Sequence, residues 1–222
     1  ADPGLGVPRM IASPIGVNNG ACVLGKKGGE LRERAKAVAT HLLVIHGYNG
    51  FSFNLLGDQI GTTSANLHYH FGNKMSLVEE VLDDYATDTA SRFRVIWADS
   101  KIDFSAKVRQ TFQFNRERFQ QFNSKKTYGR QWSLIARMRT DEEVLSEVAV
   151  KRLRAFYEGP EGLTLRRLDV CGQGELRAET PIEDVVLQLT SIILSAGPVT
   201  QDAGNINRLE VLYEAFLTTV MA

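Results

Sequence analysis

The chain reads as an all-α protein, on three observations. Its apolar residues recur at helical spacing from residue 30 onward, its breaks fall at Gly and Pro, and no segment shows the strict alternation of a half-buried strand. It holds 222 residues, 43% hydrophobic and 23% charged, close to globular averages and far from a disordered or fibrous composition. Lys plus Arg and Asp plus Glu each number 26, so a polybasic whole-chain binder is excluded while a local basic surface is not. Two cysteines, Cys22 and Cys171, are too few and too distant for a disulfide framework or a cysteine-rich zinc site, and fit a reducing cytoplasm. No run approaches the roughly 18 uninterrupted apolar residues of a membrane span.

Residues 1–29 are expected to be a tag remnant and a flexible arm. Ala1 to Arg9, ahead of Met10, has the composition of an expression remnant. Met10 to Gly29 holds Pro14, Asn18-Asn19 and several glycines, which predicts no stable helix. Lys26-Lys27 leaves open a second use for the arm, as a basic contact to DNA.

The first helix is predicted over Glu30 to His46, with Leu31, Ala35, Val38, Ala39, Leu42 and Leu43 on one face and Gly47 as its stop. Ser52 is placed to cap a second, Phe53 to Ile60, which Gly61 closes. Thr63 or Thr62 caps a third through His70. After Gly72-Asn73, a long helix from about Ser76 carries Val78, Val81, Leu82, Tyr85, Phe93 and Trp97 on one face. Further helices are predicted at 103–123, 126–138 and 141–158, with Pro160 interrupting the next, which resumes to Val170 and stops at Gly172-Gln173-Gly174. The last two lie at about 181–196 and 203–221.

The stretch Gly47 to Leu77 carries the function. Two short helices joined at Gly61-Thr62 make a helix–turn–helix, whose second helix enters a DNA major groove. Ser52, Thr62, Thr63, Ser64, Asn66, His68 and Tyr69 supply groups for base edges and phosphates, and Lys74 is placed to neutralise a phosphate. The helix holds no Lys or Arg, so readout is expected from adenine and thymine-methyl contacts rather than Arg–guanine pairs. Its free N-terminal N–H groups also suit phosphate oxygens.

These residues resemble the tetracycline-repressor (TetR) family of bacterial transcriptional regulators. The matching string is Gly47-Tyr48, Ser52, Leu56-Gly57, Gly61, then Leu67-His68-Tyr69-His70-Phe71-Gly72-Asn73-Lys74 and Leu77, within roughly Arg34 to Leu82. Three positions depart from the family pattern: Gly57 costs helix two about 1 kcal/mol relative to Ala, the turn's usual Val is Thr62, and the motif Tyr is His68 with Tyr69 following. Which of His68 and Tyr69 meets the backbone and which a base is left open.

The resemblance implies a three-helix DNA-binding domain at 30–75 and a larger helical effector-binding and dimerisation domain at 76–222. It implies a cytoplasmic homodimer whose last two helices form a four-helix interface, a double-stranded operator as partner, and a repressor released by a small effector. Phe93, Trp97, Phe112, Phe119, Tyr128 and Trp132 are candidate effector-pocket residues, pointing to an apolar or aromatic ligand, with ordinary core packing as the alternative for each. Val186, Leu189, Ile193, Leu209, Leu212 and Phe216 are the candidate dimer seam, and Leu187, Leu194 and Val211 place further apolar groups off those faces. No cofactor, metal site or membrane partner is expected: His68 and His70 point roughly 200° apart on a helix, and His41 and His46 share no face. No catalytic motif appears. The alternative reading is an all-α ligand-binding or enzymatic bundle that does not bind DNA.

Overall fold

The computed structural model describes residues 23–123, 129–158 and 175–222. Among these residues it is helical throughout, with one isolated antiparallel bridge between Leu176 and Met221. The elements are α1 (Val23–Gly50), α2 (Phe53–Ile60), α3 (Ser64–Phe71), α4 (Lys74–Ala98), α5 (Phe104–Phe122), α6 (Leu134–Thr140), a 3₁₀ turn (Glu142–Val144), α7 (Glu147–Glu158), α8 (Ile182–Ala203) and α9 (Asn207–Val220). Expectations about residues 1–22, Cys22, Tyr128, Cys171 and the 160–174 segment lie outside the described residues.

Most boundaries follow from caps the sequence shows. Ser52, Thr63, Asn73 and Asp103 each accept an N–H from the first turn of the helix they open, satisfying one of its orphan donors. Gly61 ends α2 in the left-handed conformation at φ 69°. Gly47 interrupts α1 at φ 69°, ψ −177°, so its regular part stops at His46.

Three expectations are corrected. First, α1 begins at Val23, inside the segment read as a flexible arm. Continuing an already formed helix avoids the nucleation cost, although each glycine there still costs about 1 kcal/mol relative to Ala. Second, the helix expected at 126–138 starts only at Leu134, capped by Ser133. Residues 129–133 are pinned outside helical geometry: Asn123 Oδ1 accepts the Arg130 N–H at 2.5 Å, and Trp132 Nε1 donates to Thr200 Oγ1 at 2.7 Å. A Cβ on Gly129 would fall 2.5 Å from the Thr200 carbonyl, so this approach to α8 requires glycine. Third, α8 runs on to Ala203 through Pro198, past the expected end at 196.

Packing forms two cores. One joins α1, α2, α3 and the first half of α4 to α6 and α7, through Leu43, Leu56, Leu67, Leu77, Met138 and Leu153. The other joins the second half of α4 to α5, α8 and α9, through Phe93, Phe104, Phe112, Leu189, Leu209 and Tyr213. Helix α4 belongs to both, so apolar packing runs unbroken across the division expected at residue 75. Lys107 is buried in the second core, and its Nζ donates to the Trp97 carbonyl at 3.2 Å, a cation at the C-terminal end of α4.

Helix α8 is long and apolar enough by composition to cross a membrane, yet only 22% of its most apolar stretch is buried in the protomer. Leu187 and, on α9, Val211 are each 65% exposed. Of the residues expected at an intersubunit seam, Leu189, Leu209 and Phe216 are buried within the protomer. Val186, Ile193 and Leu212 are partly exposed, and Phe216 also lines a groove between α8 and α9.

Candidate nucleic-acid interface

Helices α2 and α3 hold their angle through a tight turn. The Thr62 N–H donates to the Gly57 carbonyl at 3.0 Å, and Arg34 Nη2 caps the Ile60 carbonyl at 2.9 Å. Gly57 is buried, and a Cβ there would fall 2.6 Å from the Thr62 carbonyl in the present turn geometry. The propensity cost read from the sequence thus accompanies a close approach of the turn to α2. Leu67 and Phe71 anchor the inner face of α3 in the first core.

The outer face of α3 carries the residues singled out from the sequence, and they differ in what holds them. Thr63 caps the helix through Oγ1. Asn66 Nδ2 donates to Thr62 Oγ1 at 2.9 Å, which fixes the amide plane. Ser52, the cap of α2, and Ser64 flank them. His68 Nδ1 lies 2.8 Å from the Gly72 carbonyl and its ring stands edge-on to Phe53 at 4.7 Å. It therefore braces α3 against α2 and the following turn. Tyr69 is 85% exposed, its ring touching only the edge of His70. Of the two aromatic positions left open, His68 is tied into the domain and Tyr69 projects from it.

Lys74, the first residue of α4, is half-buried. Its Nζ stands 4.0 Å over the Tyr48 ring, and burial lowers its pKa while Asp141 opposes that shift. The same Asp141 accepts the Tyr48 N–H at 2.7 Å, and Arg137 Nη2 donates to the His46 carbonyl at 3.3 Å. The end of α6 thus grips the end of α1 beside the helix–turn–helix. Nothing in the local spacing of Arg137 points to a carbonyl 91 positions away. Arg32 makes a comparable brace, donating to the His70 carbonyl and pairing with Glu80 at 2.5 Å.

Among the described residues no cluster of His, Cys, Asp and Glu could hold a metal ion. One cavity, of about 40 Å³, lies between α4, α5, α6 and α8. Phe93 and Trp132 line it, alongside Tyr85, Phe114, Asn115 and Arg118. Phe112 packs on Tyr213 at 5.6 Å, Phe119 is buried elsewhere in the second core, and Trp97 Nε1 donates to Thr111 Oγ1 at 3.2 Å. The candidate aromatics are therefore divided between the cavity and the core behind it. Tyr85, Phe114, Asn115 and Arg118 were not singled out from the sequence, because helical spacing alone does not tell a cavity wall from a core face.

Residues 37–81 match the family model described as bacterial regulatory proteins, tetR family. The match runs from α1 into α4, so this part of the chain is similar to the tetR family of bacterial regulatory proteins. No curated protein matches it. Solved structures share the fold over most of their length. Escherichia coli NemR in its reduced form matches at a TM-score of 0.71 and 14% identity, covering 86% of this chain and 97% of its own. A TetR regulator from Legionella pneumophila matches at 0.69 and 21%, covering 85% and 96%. CifR bound to a 26-base-pair operator duplex matches at 0.59 and 21%, covering 85% and 95%. At these identities the likeness is one of fold. Members of the TetR family are transcriptional regulators, not enzymes.

Proposed function

We propose that this TetR-family regulator is a homodimeric repressor that binds a near-palindromic operator and is released by a small apolar or aromatic effector. The observation that carries the DNA reading is the outer face of α3, where Tyr69 stands free and the Asn66 amide is pre-oriented by Thr62. The residues that meet DNA are Ser52, Thr62, Thr63, Ser64, Asn66, Tyr69 and Lys74. His68, exposed on the same helix, joins them and also holds α3 through the Gly72 carbonyl. Residues 30–75 form the DNA-binding unit and 76–222 the effector and dimerisation unit, with α4 shared between their cores.

The dimer reading rests on the under-buried apolar face of α8 and α9. A groove lined by Leu187, Ile192, Leu212 and Phe216 runs between these helices, and a second copy packing there makes the four-helix seam. Linkage supplies the mechanism: DNA and effector favour different conformations, so each lowers the other's affinity by the same factor, roughly 5–150-fold for a coupling of about 1–3 kcal/mol. The test is Asn66→Ala on the operator recovered by selection from random duplexes. Relaxed preference at one base position per half-site is expected; uniform weakening at every position refutes base readout by Asn66.

A further inference from the structure

We propose that the effector cavity is built for an anion, a carboxylate on an apolar or aromatic skeleton, that pairs with Arg118 in place of Asp88. The inference rests on the effector reading above and narrows it to a chemical class. Arg118 is the one charged residue among those lining the cavity. Its side chain is only 13% exposed, and its guanidinium lies between the rings of Tyr85, at 4.3 Å, and Phe114, at 4.5 Å. Stacking fixes the plane of the fork but uses none of its N–H donors. Beside the Tyr85 stacking, one hydrogen bond, from Nη2 to Asp88 Oδ2 at 3.0 Å, holds it to α4.

Asp88 is a shared and weak partner. It is half exposed, and its other oxygen takes Arg92 Nε at 3.3 Å. Two guanidinium groups thus divide one carboxylate, and the group facing the cavity has donors to spare for a bidentate anion. Exchange is favourable in kind: Asp88 keeps Arg92 and solvent when it leaves, while the incoming carboxylate gains a fork in a drier, aromatic site. A cation there would meet the repulsion of Arg118, and a neutral carbonyl would accept from the fork without the charge assistance a carboxylate brings.

The cavity has room for only a few waters, at roughly 10–15 Å³ of such volume each. A ligand skeleton therefore has to part α4 from α5. The Asp88–Arg118 pair ties these two helices together, so an anion that takes Arg118 from Asp88 also loosens the tie. Helix α4 carries Lys74 at its other end, against Tyr48 and the helix–turn–helix.

The test is calorimetric titration of the full chain with matched probes: naphthalene-2-carboxylate, its carboxamide and the corresponding methylamine, then octanoate and octanamide. We expect at least one carboxylate to bind about tenfold or more tightly than its amide, with the amine weaker still. Arg118→Gln brings the carboxylate down to the level of the amide. Asp88→Asn, which removes the competing carboxylate, tightens the carboxylate probe several-fold and leaves the amide unchanged, a gain that loss of packing would not produce. Equal or tighter binding of the amide overturns the anion assignment while leaving the effector reading intact, as does discrimination that survives Arg118→Gln. Failure of every probe to bind a folded dimer overturns both.

Discussion

Gly47→Ala is the substitution whose consequence the structure defines most sharply. Gly47 sits at φ 69°, ψ −177°, a region essentially closed to residues with a Cβ, and holding one there costs about 1–3 kcal/mol. A Cβ would also lie 2.5 Å from Asp141 Oδ2 and 2.7 Å from Arg137 Nε, inside the contact distance of both. The side chains must move, and Asp141 then gives up the Tyr48 N–H, a charge-assisted hydrogen bond worth about 1.5–3 kcal/mol. Against this, Ala gains about 0.4–1 kcal/mol by restricting the unfolded chain. The net is a loss of roughly 2–5 kcal/mol, read from those same terms. Urea unfolding at fixed protein concentration measures it as a lowered midpoint with an unchanged slope. A variant within about 0.5 kcal/mol of the parent, the ordinary range for surface changes, refutes the claim that the α1–α6 junction is built around this glycine.

Four further outcomes are expected. Gly29→Ala, in the exposed part of α1 with nothing within 4 Å of the new Cβ, should stabilise by about 0.8–1 kcal/mol in the same assay, and a loss would dispute the helical start at Val23. His41 is stacked on Phe122 at 4.9 Å, and burial first, then the nearby His46, lowers its pKa. The unfolded chain therefore takes up a proton that the folded chain resists, so stability should fall as pH drops below about 6.5. His41→Gln should flatten that slope between pH 7 and 5; an unchanged slope assigns it to other groups. Lys74→Ala should weaken binding to all duplexes and reduce the salt dependence by about one counterion, and an unchanged salt slope removes Lys74 from the phosphate contacts. Leu187→Glu with Val211→Glu should give monomers by sedimentation with helicity retained, since both side chains are exposed in the protomer; an intact dimer moves the interface elsewhere.

The parts of the fold legible in the sequence were those set by local chemistry. Ser52, Gly61, Thr63 and Asn73 end and begin helices by interactions within three or four residues, so their positions follow from residue type and spacing. The start of α6 did not, because a buried Trp132–Thr200 hydrogen bond across 68 positions holds the preceding segment extended. The same distinction divides the site. Tyr69 and Asn66 were readable from a motif, whereas Arg118 takes its place from Tyr85 and Asp88 on another helix. The apolar surface of α8 shows a third kind of limit: period 3.6 marks Leu189 and Leu187 alike as apolar, and only packing shows that the first is covered and the second exposed.

The central claim is that the α3 face of this protein reads a two-fold operator. Selection of bound duplexes from a random library, with purified protein at near-physiological salt, tests it most directly. Recovery of an inverted repeat is predicted, with half-sites spaced to place one α3 in each of two successive major grooves, about 34–36 Å apart. Recovery of no enriched motif by a folded, ligand-free dimer would contradict it.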